Sequence, residues 1–510
     1  MRFSRRNFLL GLSGASAASV LFHCGSRATK RPNILFAISD DQSFPHTSIA
    51  GDPVVKTPAF DRVAKEGVLF RNAISNSPGC APSRAAILTG RGHWQLGEAG
   101  VHASYFPREL KVFPELLEQA GYHVGLTGKG AGPANFEGSG WEHNPAGKAY
   151  SARKLAEPRP GMSPLDYAAN FEDFLKEKPA DRPFCFWSGA QEPHRVFEKG
   201  IGRAAGKRLE DVVVPGFLPD TEEIRNDLLD YYEEIEHFDT HLGRMLEMLE
   251  KAGELENTLV VVTSDNGMAF PRAKATMYEY GIHLPLAIMW KAQCPGGRVV
   301  DDMVSFIDYA PTFLEVAGVS APEETTGKSL VPVLRSTKSG VVDETRTSAL
   351  SGRERHSHAR RDNLGYPARS IRTREYLYIR NFAPERNPAG DPEGFHDIDD
   401  APSKTYLLEH RNDPKVKPFF DATMLPNPAE QLFDIQADPF CMKNLAADPA
   451  YASVREKLAT ELESTLRAQG DPRILGTGDI FESYPRHSPM RPQLGGFAEQ
   501  GQYNPAFQRQ

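Results

Sequence analysis

The chain has 510 residues and carries 67 acidic against 59 basic side chains, a formal net charge of −8. That length exceeds what one compact domain usually holds, so two are expected, and the acidic balance argues against a general nucleic-acid binder. With 40% apolar and 25% charged residues the chain can bury a sizeable core, which excludes disorder throughout, and five scattered cysteines without a CxxC pair exclude a disulfide framework or a cysteine-held zinc.

Residues 1–24 begin with Arg2, Arg5 and Arg6 and continue into an apolar stretch at 8–22 rich in Leu, Ala and Gly, the pattern of a bacterial signal peptide. Ser4-Arg5-Arg6-Asn7-Phe8-Leu9 resembles the twin-arginine signal, whose machinery exports folded proteins. A membrane anchor needs about 20 strongly apolar residues, and this stretch is shorter and broken by Gly and Ser. Phe22-His23 ahead of Cys24 lacks the small residues that precede a lipidated cysteine. The mature chain is therefore expected in the periplasm or outside the cell, without a transmembrane segment.

Residues 33–39 form a continuous apolar run of strand length, the signature of a strand buried on both faces of a parallel sheet, and it stops at Asp40-Asp41. Two more strands are predicted at 122–127, leading to Lys129, and at 184–188, leading to Glu192-Pro193-His194. A long amphipathic helix follows, with Ile235, Phe238, Leu242, Met245 and Leu249 stepping by three and four before Gly253. A fourth strand at 259–263 ends on Ser264-Asp265-Asn266-Gly267. Singly, each polar residue has an ordinary explanation as a turn former, helix cap or solvated loop. Together they place carboxylates, an amide, a lysine and a histidine at strand C-terminal ends, the edge where open α/β sheets bind ligands.

Between the first two strands, Gly79-Cys80-Ala81-Pro82-Ser83-Arg84 and Leu88-Thr89-Gly90-Arg91 read as a turn, a short helix starting near Pro82, and a glycine stop. Cys80 thus falls at a helix N-terminus, where free N–H groups and the helix dipole favour an anion; a buried cysteine beside a capping Ser83 fits the spacing equally. The segment resembles the sulfatase signature CxPSRxxxLTGR at every fixed position. The resemblance runs from Arg31-Pro32-Asn33 to Lys274 and Tyr278, and the C-terminal part is most similar to the heparan N-sulfatase (sulfamidase) branch through Gly352-Arg353-Glu354-Arg355-His356 and Tyr366-Pro367-Ala368-Arg369-Ser370.

The resemblance implies an alkaline-phosphatase-like α/β sandwich with a large, mostly parallel central sheet flanked by helices, and a smaller C-terminal domain with an antiparallel sheet. It implies that Cys80 is oxidised to formylglycine by a formylglycine-generating enzyme. One hydroxyl of the aldehyde hydrate attacks sulfur, and loss of the second hydroxyl's proton then expels sulfate, an exit a serine sulfate lacks. Asp40, Asp41, Asp265 and Asn266 correspond to the metal ligands, an all-oxygen set suited to Ca²⁺, with Mg²⁺ as second choice. Arg84, Lys129, His194 and Lys274 correspond to the remaining catalytic groups: Arg84 holds the formylglycine environment, the other three bind sulfate oxygens, and His194 also protonates the leaving group. The family's histidine two positions after the active-site lysine is absent, because Ala131 stands there. His93, His102 and a water remain open for its role as base.

Thr326-Gly327-Lys328-Ser329 ends like a phosphate-binding loop, but Pro322 occupies the place of that motif's first glycine, which leaves a surface turn. From about 345 the pattern changes to a hairpin at 369–373 and 376–380, Pro- and Asp-rich loops, and a helix at 451–467. The expected organisation is a signal at 1–24, a catalytic domain at 31–340, a smaller domain at 345–480, and an extended or disordered tail at 483–510. Between Arg353 and Arg374 stand seven arginines against Glu354 and Asp362, 7 − 2 = +5. Such a cluster is read either as a solvated face or as a grip on sulfates or uronates, with Arg355, His356 and Arg369 as candidate substrate-binding residues. The expected activity is release of sulfate from a sulfated carbohydrate, first N-sulfoglucosamine. The alternatives are a carbohydrate O-sulfatase or arylsulfatase, a phosphonate or phosphodiester hydrolase, and a glycan-binding pseudoenzyme, which Ala131 alone encourages. Neither endo or exo action nor oligomeric state is legible.

Overall fold

The computed structural model describes residues 31–495 and 500–507. The export-signal reading of residues 1–24 lies outside the described residues. Strand β1 (Asn33–Ser39) is buried along its whole length, and its side chains alternate between two cores. Ile34, Phe36 and Ile38 join one apolar cluster, and Leu35 and Ala37 join the cluster on the opposite face. This is the period of two expected of a strand covered on both faces.

The other strands of this sheet are β2 (Val68–Ile74), β3 (His123–Gly128), β4 (Lys148–Ala149), β5 (Phe184–Gly189), β6 (Thr258–Ser264), β7 (His283–Met289), β8 (Arg298–Val300) and β9 (Val304–Ser305). They lie in the order β4-β3-β5-β1-β6-β7-β2-β8, with β9 also on β2. Every pairing is parallel except those of β7, which runs antiparallel to both β6 and β2. The helix Glu222–Lys251, capped by Thr221, covers one face. Phe238, Leu242, Met245 and Leu249, read from their spacing, enter the same cluster as Leu35 and Ala37. Truncating one of them, such as Leu242, to Ala would cost about 2–5 kcal/mol.

A second sheet, β10 (Ser348–Arg353), β11 (Ala368–Thr373), β12 (Tyr376–Asn381) and β13 (Glu430–Asp434), is antiparallel in that order. The helix Ala452–Ala468 packs Leu458, Leu462 and Leu466 against Ile371, Tyr378 and Leu432 on one face. The other face presents Ala368, Leu377 and Phe433 to Ile74, Met277 and Met303 of the first layer. Among the described residues no helix is long and apolar enough to cross a membrane.

Candidate active site

Strands β3, β5, β1 and β6 are neighbours and mutually parallel, so their C-terminal ends line one edge of the sheet. That edge carries Lys129, Glu192 to His194, Asp40-Asp41, and Asp265-Asn266. The helix Cys80–Thr89 abuts it, with Gly79 as N-cap and Gly90, at φ 68°, closing the C-terminus. The helix begins at Cys80, two residues earlier than Pro82 suggested. Ser83 does not cap it: its hydroxyl donates to the Asp265 carbonyl at 2.6 Å.

Arg84 ties the helix to two strand ends. Its Nε donates to Asp265 Oδ2 at 2.7 Å, and Nη1 donates to the carbonyls of Lys129 (2.6 Å) and Gly130 (3.2 Å). Both partners of the Arg84–Asp265 pair are fully buried. The other oxygen of Asp265 accepts from the backbone N–H of Asp41 (3.2 Å) and of Asn266 (2.8 Å). Lys129 pairs with Asp40, and Lys274 pairs with both oxygens of Asp41. Burial opposes both ammonium charges, but Asp40 and Asp41 outweigh it and hold the two lysines above their usual range.

Cys80 is 2% exposed. Burial pushes its thiol up by more than Lys129 pulls it down, so the anion favoured by a helix N-terminus is not realised at an unmodified cysteine. His102 Nε2 lies 3.2 Å from Cys80 Sγ. His93 lies elsewhere: its Nδ1 is 3.2 Å from the Gly100 carbonyl, and its Nε2 abuts Gly352 in β10, where a Cβ would collide with it. His194 presents Nε2 at 3.9 Å from Asp41 Oδ2 while its Nδ1 lies 2.6 Å from the Arg195 carbonyl. A cavity of about 200 Å³ opens beside it, lined by Lys129, His194, Ser163, Glu192 and Glu234 among others.

Asp40, Asp41 and Asp265 each offer an oxygen within 4.8 Å of the others. Asp40 Oδ1 and Asn266 Oδ1 are buried without a hydrogen-bond partner. Two orphaned acceptors in an all-oxygen set, with carboxylates on three sides, fit a hard divalent cation.

Of the three residues expected to grip substrate, only His356 reaches this region: its ring lies 4.5 Å from that of His102, and Gly79 admits it, since a Cβ there would stand 3.0 Å from His356 Nδ1. The other two are engaged elsewhere. Arg355 donates to the carbonyls of Tyr484 (2.8 Å) and Pro485 (3.0 Å). Arg369, 0% exposed, places its N–H groups on Asp471, Glu354 and the carbonyls of Arg353 and Ala368. Arg353 and Arg360 share Asp397, and Arg372 holds Glu279. Four of the seven arginines, Arg353, Arg360, Arg369 and Arg372, are thus neutralised internally by carboxylates distant in sequence, whereas Arg361 pairs with Glu393 at the surface.

Sequence reasoning missed Asp399 and Arg486. Asp399 Oδ2 is buried without a hydrogen bond, 3.9 Å from Lys274 Nζ. Burial raises its carboxyl pKa, but Lys274, His194 and His356 more than offset this and hold it below the usual range. Its one sequence signal was the acid-rich stretch around Asp397. Arg486 comes from the tail segment, where the carbonyls of Tyr484 and Pro485 are also engaged, so this part of the tail is packed against the site.

The fold is the alkaline-phosphatase-like α/β architecture that the sequence resemblance implied. Residues 32–319 match the sulfatase family profile, and residues 272–386 match the one described as N-sulphoglucosamine sulphohydrolase, C-terminal. The first match spans more than half of the chain, and the chain belongs to the sulfatase family: it is a hydrolase of sulfate esters or sulfamates. Similar proteins include an ulvan-active sulfatase of Formosa agariphila, 28% identical over 88% of this chain and 82% of that one. Human N-sulphoglucosamine sulphohydrolase is 27% identical over 94% of this chain and 99% of its own. A solved structure of a protein in complex with its substrate D-glucosamine-2-N,6-O-disulfate shares the fold, with a TM-score of 0.63 and 22% identity over 87% of this chain and 99% of that one.

Proposed function

We propose that this sulfatase is an exported enzyme that releases sulfate from N-sulfoglucosamine units of a sulfated glycan. Cys80 is converted to formylglycine by a formylglycine-generating enzyme, and Ca²⁺ is held by Asp40, Asp41, Asp265 and Asn266. The observation that carries the substrate choice is the near full-length similarity to human N-sulphoglucosamine sulphohydrolase. The catalytic part spans 31–340 and the smaller part 345–480. An O-sulfatase is the second reading, favoured by the similarity to the ulvan-active sulfatase.

When bound, the cation polarises sulfate oxygens and the hydrated formylglycine supplies the attacking hydroxyl. The chain's own residues do the rest. Lys129 and Lys274, kept cationic by Asp40 and Asp41, bind the sulfate oxygens and balance their charge as the bond to sulfur breaks. Arg84 touches no substrate in this reading; it positions Asp265 and the loop at Lys129. The Arg195 carbonyl accepts from His194 Nδ1–H, which turns Nε2 to the site, where a proton on it passes to the departing nitrogen. An amine leaves poorly unless protonated, so this donor matters more for a sulfamate than for an ester. Asp399 Oδ2 stands 3.9 Å from Lys274 Nζ and adds a second carboxylate beside that ammonium.

The test is direct competition between N-sulfoglucosamine and its 6-O-sulfated isomer, with peptide mass analysis of position 80. Faster loss of the N-sulfate and an aldehyde at position 80 are expected. Preference for the O-sulfated sugar moves the protein to the second reading, and active protein carrying only unmodified Cys80 ends the formylglycine assignment.

A further inference from the structure

The imidazole beside position 80 comes from His102, on a different segment from the one that carries Ala131. Ala131 is 0% exposed and packs in the apolar cluster that holds Phe106 and Trp141, while its N–H donates to Asn144 Oδ1 at 3.1 Å. His102 is partly buried, with Nε2 3.2 Å from Cys80 Sγ and Nδ1 3.4 Å from Arg486 Nη1. The same Arg486 nitrogen donates to the His356 carbonyl at 2.9 Å, which fixes the guanidinium in place.

A guanidinium has only donors. Two N–H groups cannot point at each other, so the His102 nitrogen facing Arg486 is the bare acceptor, and in the neutral ring the proton sits on the other nitrogen. A bare nitrogen facing a guanidinium is that of a neutral ring, and burial, His356 and Arg486 push in the same direction by lowering the ring's pKa well below the ordinary value. We propose that His102 is a hydrogen-bond donor to the side chain at position 80, its tautomer set by Arg486 from the C-terminal segment, and that it is not the base of the reaction. Arg486 is thereby a positioning residue. The proposal rests on the formylglycine reading for its catalytic meaning: an N–H held on the oxygen of that group polarises its carbonyl and orients its hydrate. The tautomer itself rests only on this chain's own geometry.

Glutamine separates donor from base. Its amide offers an acceptor to Arg486 and a donor to position 80, the same pair as this tautomer, but it takes up no proton. We expect His102→Ala to lower kcat by on the order of 10²-fold, and His102→Gln to stay within about tenfold of the wild type. A Gln variant as impaired as the Ala variant overturns the donor role, provided both melt near the wild type. The readout independent of activity is the ¹⁵N spectrum of histidine-labelled protein, with His102 assigned by its loss in the Gln variant. A proton on Nε2 and a bare Nδ1 are expected, and a proton on Nδ1 overturns the proposal. Arg486→Met should abolish the single tautomer and lower kcat while leaving KM within about twofold, and Arg486→Lys should restore part of both; a tautomer unchanged in Arg486→Met refutes the positioning role. Protein with unmodified Cys80 gives the same spectrum if the proposal holds, so failure of the formylglycine reading, seen by peptide mass, is distinguishable from failure of this one.

Discussion

Glu234 offers a quantitative test of the electrostatics next to the site. It sits on the long helix, 0% exposed, with both carboxyl oxygens lacking a hydrogen-bond partner. Burial, with Glu192 adding to it, pushes its pKa from 4.5 up to about 9. A carboxyl whose folded pKa is raised binds a proton that the unfolded chain releases. Its effect is nil below pH 4.5, costs stability progressively as pH rises, and levels off above about 9. At pH 7 the cost is 2.5 units at 1.36 kcal/mol each, about 3 kcal/mol. Glu234→Gln removes the titration and keeps the shape. The buried amide and the protonated acid both lack partners, so that penalty cancels to first order. Denaturant unfolding of both proteins should give nearly equal stabilities at pH 4.5, with the Gln variant more stable by about 3 kcal/mol at pH 7 and by more at pH 8. A difference that does not change with pH refutes the reasoning.

Two further perturbations follow from the buried charges. Arg369→Glu adds a carboxylate to the enclosed Glu354 and Asp471 pair, and breaking such a pair costs about 3–5 kcal/mol; thermal unfolding should show a lowered Tm or loss of soluble protein, whereas a well-folded variant with only a raised KM would restore the substrate-grip reading. Chelation should lower both Tm and turnover, because Asp40, Asp41 and Asp265 then share a buried site without their cation, and Ca²⁺ should reverse both; full activity in metal-free protein sinks the metal assignment.

The elements legible in the sequence were those whose burial is decided locally. β1 and β6 read clearly because a strand covered on both faces is apolar throughout and its end is marked by an abrupt Asp-Asp or Ser-Asp-Asn. The long helix read from its three-four spacing, since one stripe of it faces a core. β7, antiparallel between β6 and β2, had no such marker: its apolar run says that it is buried but not in which direction it runs. The arginines between 353 and 374 failed for a related reason. Their charge is local, but the groups that neutralise it are not: Asp471 lies 102 residues beyond Arg369 and Asp397 lies 44 beyond Arg353. A sequence displays a charge without its partner, so an internally paired arginine and a ligand-binding one look the same.

The same distinction governs Ala131. Judged within its segment, the missing histidine encouraged a pseudoenzyme, because a spacing motif assumes that each function is supplied from its usual place. Ala131 is buried in the apolar cluster that also holds Phe106 and Trp141. The imidazole that does reach position 80 belongs to His102, and its orientation depends on Arg486, 384 residues away in a segment whose composition reads as extended or disordered. A role so assembled leaves no spacing to read, because the contact exists only once the C-terminal segment has folded back over the sheet edge. Absence of a motif residue therefore reports on one segment and not on the site, and the pseudoenzyme reading loses its only support without any change in the residues that carry the sulfatase chemistry.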